Sequence, residues 1–193
     1  MARCPWHPHG GCGFARHGTY ERVSPPGIRV ARWYCRKAGH TVSALPDCLA
    51  ARRSGTLAQC QACVLAVEAA PSREAAASTL RTDIELPGAL RYLTRLVRDV
   101  HGGLRSVKGL LPEQLADAAP TVHAFSLALG VDDVLVTLRT LAGHHLAQLP
   151  APLGFNPRRM QAGGAAAGHQ HRVGPDPPQA LIDAPPHGAC RSG

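Results

Sequence analysis

A small, metal-stapled β module followed by an all-α helical domain and a disordered C-terminal tail is the fold class that the sequence predicts. Three observations carry it. Cysteine and histidine crowd the first forty residues, in "CPWHPHGGC" and "CRKAGH". Alanine and leucine recur at helical spacing from about residue 54, and periodicity vanishes after residue 155. The 193-residue chain is 45% hydrophobic but only 4% aromatic, so a core of Leu, Val and Ala is expected, which favours helices over a large β-sandwich. The expected domains are 1–53, 54–155 and a disordered tail at 156–193.

In the first domain, "FARHGTYERV" (14–23) and "IRVARWYC" (28–35) read as two strands joined by "SPPG", where proline fixes φ and glycine permits a positive one. Two antiparallel strands alone are marginal in water. About fifty residues with few large apolar side chains need a staple.

In the second domain, "GTLAQCQACVLAVEAA" (55–70) reads as a helix whose Leu57, Cys60, Val64 and Val67 share one face. Pro71 ends it. Ser72 suits the N-cap of a second helix at 73–81, with Glu74 in its first turn. Pro87 opens a third, at 87–110, with Leu90, Leu93, Val97 and Leu104 on its apolar face. Gly102 and Gly103 weaken that helix by about 1 kcal/mol each relative to alanine, which predicts a kink or a stop there. Further helices are expected at 120–129 and 131–148. The tail, Gly-, Ala- and Pro-rich, buries too little apolar surface to offset its ordering entropy.

Net charge is +8, and it is unevenly spread. Residues 1–55 carry nine Lys/Arg against two acids, whereas residues 111–150 carry one against four. A basic N-terminal part points to a polyanion partner. No run of about 20 apolar residues is present, so no membrane partner is expected. The opening residues lack the apolar core of a signal peptide, and a cytoplasmic location is the expectation. Thiols there are metal ligands or core residues rather than disulfides.

Structural zinc takes four Cys or His ligands, usually as two short groups brought together by folding. The first group here is Cys4, His7, His9 and Cys12; the second is Cys35 with His40. Two strands lie between them, which is the layout of a zinc ribbon. Ala38 stands where a C-x2-C knuckle would carry its second cysteine. The expected ligand set for Zn2+ is therefore Cys4, Cys12, Cys35 and His40, with His7 and His9 as substitutes. "CQAC" (60–63) lies within a helix with no preceding strand, so Cys60 and Cys63 read as core thiols rather than a redox or metal pair. Cys48 reads as a small apolar residue. His144 and His145 are adjacent on a helix and point about 100° apart, so they do not chelate together.

The residues "CP" near the start, "RHGTYER" (16–22), "RWYC" (32–35), "GHT" with "LPD" (39–47) and "LAARRSGTL" (49–57) resemble a zinc-ribbon domain of transposase-like bacterial proteins. There the ribbon precedes a helix-turn-helix segment. The resemblance implies a DNA-binding module of mobile-element type. Val42 replaces the usual phenylalanine and Ala38 the usual fourth cysteine. Catalytic domains of that group carry three carboxylates on a strand-rich scaffold. Glu113, Asp117, Asp132 and Asp133 have no strand context, so no enzymatic activity is expected.

A helix-turn-helix near 72–110 would pair 73–81 with 87–100, the second helix entering the major groove of double-stranded DNA. Arg91, Arg95 and Arg98 share a face of that helix. On the ribbon, Arg16, Arg22, Arg29, Arg32, Arg36 and Lys37 are expected to bind phosphates, extended by Arg52 and Arg53. The competing classes are a protein-interaction module, in which the acidic helical segment supports a homo-oligomer, and an inactive remnant of a mobile element.

Overall fold

The computed structural model describes residues 3–80 and 85–155. The expected tail at 156–193, and most of the turn proposed between the second and third helices, lie outside the described residues. The chain divides into two compact units between Pro46 and Asp47. The sequence placed this boundary after residue 53. The reason for the difference is that Leu49, Ala50 and Ala51 are fully buried with the helices. The Ala51 N–H donates to the Pro152 carbonyl at 2.9 Å and the Leu57 N–H to the Cys48 carbonyl at 2.7 Å.

The first unit is a three-stranded antiparallel sheet in the order β1 (Ala15–Glu21), β2 (Arg29–Cys35), β3 (His40–Ala44). The hairpin expected at 14–35 is present, and β3 is an addition to it. "HTVSA" alternates, with Val42 opposite Trp33 and Ala44 opposite Ala31 on one face. The loop after β1 is closed by the Arg22 N–H donating to the Ile28 carbonyl at 2.9 Å. The apolar centre of this unit is small. Cys4, Cys12 and Cys35 are buried together, with Phe14 and Ala38 against them.

The second unit holds helices α1 (Leu57–Ala69), α2 (Arg73–Leu80), α3 (Leu86–Leu110), α4 (Pro112–Leu115), α5 (Val122–Leu129) and α6 (Val134–Leu141), then a 3-10 turn at Gly143–His145. Helix α1 starts at a capping box: Thr56 Oγ1 accepts from the Gln59 N–H, and the Gln59 side chain accepts from the Thr56 N–H. It packs on α2, α3, α5 and α6, burying Leu57, Cys60, Cys63 and Val64. Ser72 accepts from the Ala75 N–H at the start of α2.

Helix α3 runs unbroken through Gly102 and Gly103. At Gly103 a Cβ would stand 3.2 Å from Leu153 Cδ1, so the missing side chain lets Leu153 seat against the helix. Pro112 ends α3 and begins the short α4, which the sequence reading did not foresee. The helix expected at 131–148 is shorter, stopping at Leu141 and giving way to the 3-10 turn.

Two side chains of α1 reach across to the starts of other helices. Gln61 Oε1 accepts from the Leu135 N–H at 3.0 Å, and its Nε2 donates to the Asp132 carbonyl. Glu68 accepts from the Val122 N–H at 3.0 Å and the His123 N–H at 3.1 Å. His101 Nε2 lies 2.7 Å from the same carboxylate. Arg139, 2% exposed, donates to the carbonyls of Asp47, Leu49, Pro152 and Leu153. It ties the segment entering the unit to the segment leaving it. Burial pulls its guanidinium down to about 10, with Asp47 and Cys60 working the other way.

Candidate metal centre

Cys4, His7, Cys12 and Cys35 come together in the first unit, with one ligand atom from each lying within 4.8 Å of all the others. His7 Nδ1 is 3.7 Å from Cys4 Sγ and 3.5 Å from Cys35 Sγ. Cys4 and His7 come from one tight turn, closed by the Gly10 N–H donating to the His7 carbonyl at 3.0 Å. Cys12 follows two glycines with positive φ, Gly10 and Gly11, which fold the segment back on itself. Cys35 ends β2. These four residues could hold a metal ion.

Two of the thiols are shifted in opposite directions. Burial pushes Cys4 upward, but hydrogen bonds with the His7 ring, the backbone N–H groups of Trp6 and His7, and Cys35 outweigh it, leaving this thiol at about 6. Cys12 moves the opposite way, raised by burial and by its two sulfur neighbours, Cys4 and Cys35. The Ala38 N–H donates to Cys35 Sγ at 3.4 Å. Ala38 thus supplies a backbone donor where a cysteine was expected to supply a ligand.

His40, expected as the fourth ligand, is not in the group. It is the cross-strand partner of Cys35, but its ring is exposed and turned to Trp6, at 5.3 Å between centroids. His9 is exposed and also outside the group. Cys60 and Cys63 lie in the helical core of the second unit. Burial pushes Cys60 up to about 11, only partly offset by Arg53 and Arg139, which leaves it protonated and inert at neutral pH.

The expected phosphate-binding residues fall into distinct settings. Arg16 lies opposite Trp33, and Arg29 lies two residues from Ala31, so both share the face that ends in Cys35; Arg32 points to the other face. The sheet therefore carries basic groups on both sides rather than one patch. Arg29 donates to Thr19 Oγ1 at 3.0 Å, Arg32 sits 5.6 Å over the Tyr20 ring, and Arg22 donates to the Ser24 carbonyl at 3.3 Å. Arg36 and Lys37 are exposed in the turn after β2.

In the second unit, Arg91, Arg95 and Arg98 are exposed along α3, opposite the buried Leu93, Leu96, Val97 and Val100. Arg105 continues the row, seven residues beyond Arg98, and was not picked out from the sequence. Arg52 is exposed and donates to the Phe155 carbonyl at 3.1 Å. Arg53 departs from expectation. Its guanidinium pairs with Asp99 and donates to the Arg95 carbonyl, and its side chain is 14% exposed. The loop carrying it runs beside α3, whose one acid captures it, so Arg53 is a strut rather than an open phosphate contact.

No family model, curated protein or solved structure matches this chain. Among the described residues, no helix is long and apolar enough to cross a membrane.

Proposed function

We propose that the chain is a DNA-binding protein of mobile-element type without a catalytic domain of its own, built from a zinc-stapled ribbon and a helical unit. Zinc is favoured by the donor set and the spacing. With bonds of about 2.3 Å to sulfur and about 2.1 Å to nitrogen, a tetrahedral zinc has ligand–ligand edges of roughly 3.6–3.8 Å. The His7–Cys4 and His7–Cys35 separations of 3.7 and 3.5 Å match that edge. Three thiols and one imidazole leave no open coordination position, so the metal's role is structural. It substitutes for the apolar core this unit lacks.

The observation that carries the DNA reading is the arginine row on α3. Arg91, Arg95, Arg98 and Arg105 span fifteen residues, with about 21 Å of helix from first to last. Asp99, the one acid of α3, is already paired with Arg53 and Arg98. Its charge is largely cancelled, so the outer face presents a positive field to a phosphate backbone.

The test is duplex binding by the zinc-loaded protein, followed by fluorescence anisotropy. Three or four phosphate contacts predict a loss of about 40–150-fold in affinity between 50 and 200 mM salt. Joint charge reversal, Arg91→Glu with Arg95→Glu, should weaken binding at least tenfold. Salt-independent affinity, or no change in the double variant, would rule the reading out. A protein-interaction module is the second reading, favoured by Leu127 and Leu141, which are 72% and 44% exposed. Sedimentation at rising concentration separates it, since self-association through those leucines persists in high salt.

A further inference from the structure

The register of β1 against β2 slips between Arg16 and Gly18. Arg16 faces Trp33 and Gly18 faces Arg32, which leaves His17 as the bulged residue. A bulge re-aims a side chain that regular alternation would place elsewhere. Here it sets the His17 ring 5.5 Å from the Tyr34 ring, tilted by 41°. An open cleft of about 300 Å³ lies against this pair, lined by Gly13, Ala15, Arg16, His17, Tyr34 and Arg36.

The lining is chemically one-sided. Its side-chain-bearing polar residues are Arg16, His17, Tyr34 and Arg36, and no Asp or Glu is among the described residues that line it. Among the described residues, neither Arg16 nor Arg36 is engaged in an ion pair. Glu21, the one acid between residues 1 and 46, accepts from the Gly27 N–H at 3.3 Å and stands opposite Arg29, at the far end of the strand.

The walls are also fixed. Gly13, at φ +66°, follows Cys12, and a Cβ on it would stand 3.5 Å from the Arg36 Cβ. Tyr34 and Arg36 flank Cys35, and the Lys37 N–H donates to the Cys12 carbonyl at 3.4 Å. One wall of the cleft therefore leaves from Cys12 and the other surrounds Cys35.

We propose that this cleft binds the phosphate of a nucleotide unit. Planar guanidinium forks pair bidentately with phosphate oxygens and stay charged at any working pH. The Tyr34 hydroxyl and a His17 ring N–H supply two further donors. A space of this size exceeds what a bare phosphate fills and sits at the small end of ligand sites, which leaves room for the attached sugar or base. The exposed His17 ring offers a face for a base to stack on. The proposal deepens the nucleic-acid reading and rests on it for the source of the phosphate, a backbone phosphodiester or a free nucleotide.

The full-length, zinc-loaded protein is titrated with inorganic phosphate, adenosine 5′-monophosphate, adenosine and a short single-stranded oligothymidylate, following the His17 and Tyr34 ring signals by NMR. Saturable shifts with the three phosphate-bearing probes, and none with adenosine, are expected. Arg16→Gln and Arg36→Gln should each weaken monophosphate binding at least fivefold, and Tyr34→Phe about two- to fivefold, with zinc content and the remaining spectrum unchanged. Tighter binding of the oligonucleotide assigns the site to backbone phosphodiesters, and tighter binding of the monophosphate to free nucleotides. Wild-type affinity in both arginine variants overturns the proposal, as do shifts that never saturate. The Arg91→Glu, Arg95→Glu protein serves as control. If it loses duplex binding while the cleft titrates normally, the two readings stand apart. If duplex binding fails in wild type and the cleft still saturates, only the α3 reading is lost.

Discussion

Gln61 and Glu68 stand seven residues apart on α1, and each accepts from backbone N–H groups at the start of a different helix: Gln61 serves α6, and Glu68 serves α5 beside its Thr121 cap. Helix starts leave backbone N–H groups without partners, and those of α6 receive no side-chain bond from its own N-cap residue, Asp133. Two turns of α1 therefore fix the positions of both later helices, through polar contacts laid over an apolar interface.

Replacing Glu68 with Ala should strand the Val122 and His123 N–H groups and remove the partner of His101. The expected cost is about 1–3 kcal/mol. In a unit of this size that corresponds to a fall of roughly 5–15 °C in melting temperature, read by circular dichroism. Glu68→Gln, which keeps one acceptor, should fall in between. A change of under about 1 °C in Glu68→Ala would show that the caps contribute nothing.

The metal set can be tested ligand by ligand. His7→Ala and Cys35→Ser should lose zinc, with affinity down at least tenfold against a chromophoric chelator, whereas His40→Ala and His9→Ala should keep one zinc per chain. Retention by His7→Ala with loss by His40→Ala would restore the ligand set expected from spacing alone. Acid should release the metal as well. Cys4 has its folded-state value lowered to about 6, so its thiolate is secured above that point and lost as pH falls through it.

Cys60 gives the opposite pH signature. Its thiol is raised to about 11, while an exposed thiol in the unfolded chain ionises near 9. Between these values the folded state holds a proton that the unfolded state has released, so stability is complete below pH 9 and drains away as pH rises to 11. The total is on the order of 2–3 kcal/mol. Urea denaturation at pH 8 and pH 10.5 should show a larger loss for wild type than for Cys60→Ala. Parallel losses would mean that Cys60 does not titrate in this window.

Arg139 holds four carbonyl groups, and among the described residues no carboxylate forms an ion pair with its guanidinium. Arg139→Met should cost about 3–5 kcal/mol, because it orphans buried acceptors. Arg139→Lys keeps the charge but not the planar fork, and should lose more than half as much. If the methionine variant loses less than about 1 kcal/mol in urea denaturation, the clamp is not structural.

Much of the helical unit was legible in the sequence. Helical spacing over 55–70 announces α1, Ser72 and Pro87 the next two helices, and apolar periodicity their buried faces. The hairpin is legible from its proline–glycine turn, but β3 is hidden, because the His40 that opens it also has the spacing of a metal ligand after Cys35. That His7 joins the three cysteines is not legible. Cys4 and His7 form a close C-x2-H pair, yet spacing alone weighs it no more than C-x4-H at Cys35 and His40. What decides is the Trp6 ring, which occupies His40, and that is a tertiary contact. Arg139 gave a fainter sign. It follows Leu135 and Leu138 into a buried stripe, where a lone charge must find polar partners, but nothing local names carbonyls ninety residues upstream.

The three buried sulfurs at the apolar centre of the first unit carry a consequence for how the protein persists. A core of hydrocarbon owes its strength to temperature and solvent, and the helical unit, with its leucines and valines, answers to those. With a metal ion held by Cys4, His7, Cys12 and Cys35, the sheet would answer instead to a chemical activity. Its stability would grow with the logarithm of free metal over the dissociation constant, and a chelator or an oxidant would withdraw it at constant temperature. One chain would then rest on two different thermodynamic supports, and a cell could dismantle the basic sheet while leaving the helices standing.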